Sequence, residues 1–332
     1  MKALVYTGPE QIVYRDEPDP DPAAGEVVVK IEAVGICGSD MHAYFGHDER
    51  RPAPLILGHE ASGIALDGRF EGQRVVINPL VSCGRCVDCL GGRANICRSR
   101  EIISMPPRPG AFAEMVNIPE TNVVPVPDDM DPAKAALVEP IATALHAVGV
   151  AERALWRPLG ETETLVIGGG AVGLSAALVA ASRGARNVTV ADTNPGRRET
   201  AANAGSFHVV DPLDTSAIAD NSFGLVIDAV GGGGTRELAS RAVLPGGVIA
   251  HIGLMDNKDG LDVRKLTLQE VTFIGTYTYT MVDFRATIDA IHRGDLGPLD
   301  WVEKRGLKDG TAAFSDLKHG RTAASKIILL PE

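Results

Sequence analysis

The sequence predicts an α/β protein of two domains, one β-rich and one built on a doubly wound parallel sheet. Three observations carry this expectation. The chain has 332 residues, more than a single core ordinarily organises. Up to Pro125, short runs alternate apolar and polar residues with period two, separated by turn residues. From Thr164 onward, apolar strand-like runs alternate with helical stretches, the pattern of a parallel sheet.

Taken in order, Ala3 and Val5, then Val27, Val29 and Ile31, mark strands, with a Pro/Asp turn region at Pro18–Gly25 between them. Strand-like runs follow at Gly63–Leu66, Arg74–Asn78, Ala113–Ile118 and Asn122–Pro125. Asp131–Val150 reads as a helix with Asp131 as N-cap and Pro132 at its first position, interrupted at Glu139-Pro140. The sheet expected next has strands at Leu165–Ile167, Val188–Ala191, His208–Val210, Leu225–Ala229, Val248–Ile252 and Val271–Ile274, with a helix over Ala171–Arg183. A helix near Asp283–Arg293 and a final strand Lys326–Leu330 close the chain.

Composition narrows the functional classes. No apolar run reaches the ~18 residues of a membrane span, and the first residues lack a signal-peptide core, so a cytoplasmic protein is expected. A net charge of −11 disfavours nucleic acid and anionic membranes as partners. Four of the five cysteines fall within Cys83–Cys97, which is metal spacing in a reducing compartment rather than a disulfide framework.

The run Gly168-Gly169-Gly170-Ala171-Val172-Gly173 follows an apolar strand and opens a helix, and the acidic Asp192 ends the next strand. In that context it is a dinucleotide-binding fingerprint. Gly168 permits the turn, Gly170 admits the pyrophosphate and Gly173 lets helix and strand pack closely. The pyrophosphate would sit at the helix N-terminus, where free N–H groups favour an anion. Asp192 would accept hydrogen bonds from the adenosine ribose; its plain structural role would be to cap the turn. Arg197 and Arg198 would meet a 2′-phosphate or belong to a solvated helix face, and Arg197 would stack on the adenine.

Cys83, Cys86, Cys89 and Cys97 read C-x2-C-x2-C-x7-C, which closes a tetrahedron around one Zn²⁺ inside a single loop. Soft sulfur ligands select zinc or an iron–sulfur cluster. With its shell full, such an ion is structural. A second set is scattered: Cys37 in GICGSDMH, His59 and Glu60 in GHE, and Glu139 in VEP. One Cys, one His and a carboxylate from separate loops leave a coordination position open, as a catalytic zinc requires.

With these motifs in order, and with GAFAE at Gly110–Glu114 and VEPIATALHA from Val138, the chain resembles the zinc-containing medium-chain dehydrogenases along its whole length, in the branch of sorbitol, threonine, idonate and galactitol-phosphate dehydrogenases. The resemblance implies a GroES-like catalytic domain over residues 1–144, to which 278–332 return, and a Rossmann domain over 145–277. It implies two zinc ions per chain and NAD as cofactor. It makes Cys37 and His59 ligands of the catalytic zinc, with Glu60 and Glu139 as the carboxylates available to it. Asp40 would orient His59. Ser39 would contact the alcohol, and His42 would serve proton release. The activity implied is hydride transfer between an alcohol group of a polyol, sugar acid or similar small substrate and NAD(H). Zinc lowers the pKa of bound water from 15.7 to about 7, and a bound alcohol should respond likewise.

The chain departs from the branch in places. Gly63–Arg74 and Asp211–Leu225 are short, and TYTYT at Thr276–Thr280 replaces the Arg-Tyr pair of sorbitol dehydrogenases. Arg50 and Arg51 precede the GHE motif, where they would meet a substrate carboxylate or phosphate, or form a solvated loop. Alternation from Val271 to Tyr279 marks the last strand of the sheet, an edge that pairs across a dimer axis in this family, so a homodimer or homotetramer is expected. Three rivals remain: a non-catalytic dinucleotide-binding protein, a zinc-free quinone reductase and an NADPH-dependent zinc carbonyl reductase. The metal ligands oppose the first two and Asp192 the third.

Overall fold

The computed structural model describes residues 1–331. The alternating runs of the N-terminal part form strands that pair at long sequence separation. One sheet orders Val123–Pro125, Arg74–Ile77, Glu60–Ala65, Glu26–Gly35, Lys326–Leu330 and Val302–Gly306, with Met115–Pro119 also on Glu26–Gly35. The buried face of the longest strand, Val27, Val29, Ile31 and Ala33, alternates with more exposed residues, as a half-buried sheet demands. The C-terminal strand lies antiparallel beside it, with Ile328 opposite Gly35 and Leu329 opposite Val34. Residues from the far end of the chain thereby reach the segment that leads to Cys37.

The second large sheet has six parallel strands: Thr164–Ile167, Val188–Ala191, His208–Val210, Phe223–Asp228, Val243–His251 and Thr272–Gly275. Numbered one to six in chain order, they lie 3-2-1-4-5-6, which is the dinucleotide-binding order with its switch point beside the first strand. The first strand is buried along its whole length, as a central parallel strand must be. Helices Val138–Ala154 and Ala171–Ser182 pack on this sheet through Ala, Leu and Val faces. Among the described residues no helix is long and apolar enough to cross a membrane.

Several expectations are corrected. The Asp131–Val150 helix is two helices, Pro132–Ala136 and Val138–Ala154, and the break falls at Leu137 rather than at Pro140. Pro140 sits in the first turn of the new helix, where its missing N–H costs nothing. The final sheet strand stops at Gly275, although the alternation continues to Tyr279. Tyr279 is instead 2% exposed and turned inward, because its hydroxyl finds a buried carboxylate. The short stretch 211–222 holds turns and no helix. Pro195–Ala204 is the helix face that Arg197 and Arg198 were allowed, whereas Gly38–Tyr44, Gly233–Ala242 and Gly310–Lys318 are additional helices whose polar and glycine content masks any apolar stripe.

Candidate active site

Cys37 is the N-cap residue of the helix Gly38–Tyr44. Asp40, inside that helix and fully buried, holds the turn by accepting the Cys37 N–H at 3.0 Å. Its other oxygen accepts the Gly58 N–H at 3.3 Å and lies 3.4 Å from His59 Nδ1. One carboxylate therefore stitches the Cys37 turn to the His59 loop. Glu60 follows on the strand Glu60–Ala65. Gly35 makes room for it, since a Cβ at Gly35 would collide with Glu60 Oε2.

The outcome is that Cys37, His59 and Glu60 each offer a ligand atom within 4.8 Å of the others. His59 Nδ1 lies against the Asp40 carboxylate and the Glu60 carboxylate meets Lys326 Nζ at 2.6 Å, so each of these ligand candidates is held in place by a charged partner. Nδ1 faces Asp40, which leaves Nε2 as the ring nitrogen for a metal. Burial opposes a charged His59, yet the Asp40 carboxylate and then Cys37 outweigh it and hold the imidazole pKa well above its ordinary value. The pocket carries surplus negative charge, and a divalent cation suits it. Cys, His and carboxylate at these separations fit zinc.

Glu139 stands beside this set and does not join it. Its Oε1 accepts from Tyr279 Oη at 3.0 Å. Burial, with the charge of Glu60 added, pushes its carboxyl up to about 7. Of the other expected site residues, Ser39 gives its carbonyl to Arg51 Nη1 at 2.6 Å. The His42 ring lies edge-on to His47 at 5.4 Å. Arg51 is 3% exposed and spent on Ser39, Ser104 and Asp48, so it is not free to meet a substrate. Arg50 is exposed and paired with Asp48.

Two residues escaped the sequence reading. Lys326 Nζ, 2% exposed, donates to Glu60 Oε1 at 2.6 Å and to Ile36 O at 2.9 Å. Burial disfavours its charge, but Glu60 and Cys37 more than restore it. The signal available was a lysine opening an apolar strand, KIILL, which locates nothing by itself. Tyr279 is the second, hidden by the misread strand.

The four-cysteine loop gathers as its spacing requires. All four sulfurs lie within 4.8 Å of one another. Backbone N–H groups of Arg85 and Cys86 pull Cys83 down to about 6, towards the thiolate a soft metal needs. This set is closed: four ligands from one loop fill a tetrahedron.

At the dinucleotide turn, Gly168 N–H donates to Ala191 O at 2.7 Å and Gly170 caps the helix Ala171–Ser182. A Cβ on Gly173 would strike Gly168 O, whereas one on Gly170 would meet nothing, so the turn is tight behind and open in front. The open side fits a pyrophosphate. Asp192 is 7% exposed; its oxygens accept from Gly169 N–H and Asn194 N–H, both at 2.7 Å. Arg197 Nε is buried without a partner, while Arg198 is bound to Asp211 at 3.0 Å and to Asp192 O at 2.8 Å. Ser325 Oγ donates to Gly169 O at 2.8 Å, and the next residue is Lys326. Two consecutive residues thus touch the dinucleotide turn and the Glu60 carboxylate.

Fold and site together define a two-domain, metal-dependent dehydrogenase. The comparisons agree. The alcohol dehydrogenase GroES-like domain model matches residues 23–128, and the zinc-binding dehydrogenase model matches residues 171–293. L-galactonate-5-dehydrogenase of Escherichia coli K12 is 35% identical over 86% of this chain and 85% of its own length. A short chain alcohol dehydrogenase of E. coli CFT073, complexed with NADH, superposes with a TM-score of 0.87 at 26% identity and covers 99% of both chains. A Sinorhizobium meliloti 1021 protein bound to NADP gives 0.85 at 28% identity, again over 99% of both chains. The chain belongs to the zinc-binding alcohol dehydrogenase family, with a GroES-like and a Rossmann-type domain. It is a zinc-dependent, NAD(P)-linked oxidoreductase acting on alcohols.

Proposed function

We propose that this enzyme oxidises a secondary alcohol of a sugar acid or polyol with NAD at the site formed by Cys37, His59 and the two glutamates. The observation that carries the assignment is the convergence of Cys37, His59 and Glu60, whose ligand atoms lie within 4.8 Å of one another in a site joined to the glycine turn through Ser325 and Lys326. Zinc held there supplies Lewis acidity that makes the substrate hydroxyl release its proton. Cys37 and His59 would be the constant ligands, with Glu60 beside them as the third and Glu139, held by Tyr279, as the alternative carboxylate. Asp40 fixes the His59 ring. Ser39 and His42 carry the hydroxyl proton outward. The likeness to L-galactonate-5-dehydrogenase supports the substrate class. The catalytic unit spans residues 1–144 and 278–332, and the dinucleotide unit 145–277.

NAD is proposed over NADP. Asp192 ends the second strand of the parallel sheet, and if it takes the ribose diol a 2′-phosphate would bring a second negative charge to about 4 Å, a repulsion of roughly 4 kcal/mol at an effective dielectric near 20. Arg198 is already paired with Asp211, which leaves Arg197 as the cation that would offset part of that repulsion. The expected native preference for NAD is about tenfold or more. Specificity constants for the two cofactors on a panel of aldonates and polyols test both proposals. Asp192→Ala should lose NAD and gain NADP; a native preference for NADP overturns the cofactor reading, and a flat panel overturns the substrate class.

A cytoplasmic homodimer or homotetramer is proposed as well. The edge strand Thr272–Gly275 is paired on one side only, and Leu254, Met255, Val263, Leu268 and Phe273 around it in sequence are exposed. Light scattering at micromolar concentration decides; a monomer overturns it.

A further inference from the structure

The closed cysteine loop and the open metal site are joined by a short path of contacts. Asn95 lies inside the cysteine loop, between Cys89 and Cys97, and is 5% exposed. Its Nδ2 donates to Tyr277 O at 2.9 Å, across 182 positions of sequence. Arg100, whose Nη1 donates to Cys97 O at 2.9 Å, places its guanidinium 4.9 Å from the centre of the Tyr277 ring. Tyr277 is therefore gripped at its carbonyl from inside the cysteine loop and at its ring from Arg100 three residues beyond it.

Two residues on, Tyr279 donates to Glu139 at 3.0 Å and stacks on Phe284. The far end of the segment is pinned too, since Thr280 caps the helix Met281–Arg293 and binds Asp283, which pairs with His146 at 2.8 Å. Between the anchors, Thr278 takes φ +46° and buries Oγ1 without a partner. A β-branched residue adopts that backbone only where its neighbours over-determine it. The anchors are Asn95 and Arg100 on one side and Glu139 on the other.

We propose that Asn95 is a positioning residue for the reaction: supported by Arg100, it transmits the fixed shape of the cysteine loop through Tyr277 and Tyr279 to Glu139. The inference rests on the reading of Glu139 as a carboxylate of the catalytic site. It gives the cysteine loop a task beyond stability, because the loop sets where the Tyr279 hydroxyl stands and hence which way Glu139 points.

The test uses the zinc-loaded enzyme and Asn95→Asp, which keeps size and replaces the donor facing Tyr277 O with an acceptor. Two zinc ions per chain should remain, and NADH affinity should be unchanged. The value of kcat should fall roughly three- to tenfold, the range a single net hydrogen bond covers. With cobalt in the open site, the visible spectrum of Asn95→Asp should shift towards that of Tyr279→Phe. The Asn95→Asp/Tyr279→Phe double variant should lose less than the two singles combined. Native kcat and a native cobalt spectrum in Asn95→Asp, with Tyr279→Phe and Glu139→Gln impaired, overturn the coupling alone. If Glu139→Gln itself keeps native kcat and spectrum, the reading of Glu139 fails, and the proposal falls with it. Should Asn95→Asp lose a zinc, Arg100→Met, which removes no side chain between Cys83 and Cys97 and gives up one bond to the Cys97 carbonyl, takes its place: with both zinc ions retained, a shifted spectrum supports the coupling and a native one overturns it.

Discussion

The four-thiolate loop and the Cys37–His59–Glu60 site use kindred ligands and are built by opposite means. The first draws all its sulfurs from Cys83–Cys97 and leaves three of them partly exposed. The second draws on two segments for its ligands and on others for support: the 37–40 turn, the 58–60 loop, Glu139 on its helix and Lys326 on the last strand. A local site tolerates little but its own closure. A dispersed site needs the whole fold to hold its groups, and it can leave a position open because no loop is obliged to fill it. On the proposed reading, structural duty falls to the first and chemistry to the second.

The widest split between them is expected in activity. Cys37→Ala or His59→Ala should lower kcat by about 10³-fold or more, since several kcal/mol of charge stabilisation go with the metal and each ~1.4 kcal/mol is a decade. NADH binding should survive, because its turn lies on the other sheet. Fluorescence titration of NADH beside steady-state turnover checks this, and retained turnover removes the assignment.

Cys97→Ser should act on the other side of the comparison. Zinc content should fall from about two per chain to one, given one closed and one open site, and the melting temperature should drop. Cys37, His59 and Glu60 keep their ion, so turnover falls only as far as the Tyr277 clamp loosens. Metal analysis with calorimetry reads both; a native zinc count of one overturns one of the two assignments.

Lys326→Met sharpens the contrast by removing support rather than ligand. It leaves Glu60 charged, buried and without its ammonium partner, at a cost of about 3 kcal/mol or more in metal-stripped protein. Zinc would itself compensate Glu60, so the loss should be smaller in loaded enzyme. Denaturant melts of the stripped and loaded forms test this, and equal losses in both would mean that Glu60 does not face the metal.

The smallest effect concerns the far anchor of the Tyr277–Thr280 segment. Burial raises the Asp283 pKa, but hydrogen bonds from His146 and Thr280 outweigh it and hold the carboxyl at about 2. A depressed folded pKa stabilises above the unfolded value and is lost as pH falls towards 2. After allowance for partial exposure, Asp283→Asn should cost about 1–2 kcal/mol at neutral pH, with the gap to the native protein closing between about pH 4 and pH 2. A constant gap across that range would show that packing, not charge, is what Asp283 contributes.

Much of this was legible beforehand. The glycine turn, its flanking strands and the cysteine spacing are local signals, carried within a few dozen residues of chain. Cys37, His59, Glu60 and Glu139 were legible as types of ligand but not as a geometry. Which carboxylate stands with Cys37 and His59 depends on Gly35 leaving space and on Lys326 arriving from the final strand. Arg51 was misplaced because sequence shows a basic residue near a motif and not the carbonyls that consume it.

The sequence alone therefore determined the two domain types, the glycine-rich strand–turn–helix, and the gathered cysteine loop, because period, glycine placement and short ligand spacing act through neighbouring residues. The tertiary structure alone decided the contacts between distant segments: Lys326 on Glu60, Ser325 on Gly169, Asn95 on Tyr277 and Tyr279 on Glu139. Each joins groups more than a hundred positions apart, and no periodicity records them. What fixes them is burial, which makes an unpaired polar group costly and so selects the one packing in which each finds its partner.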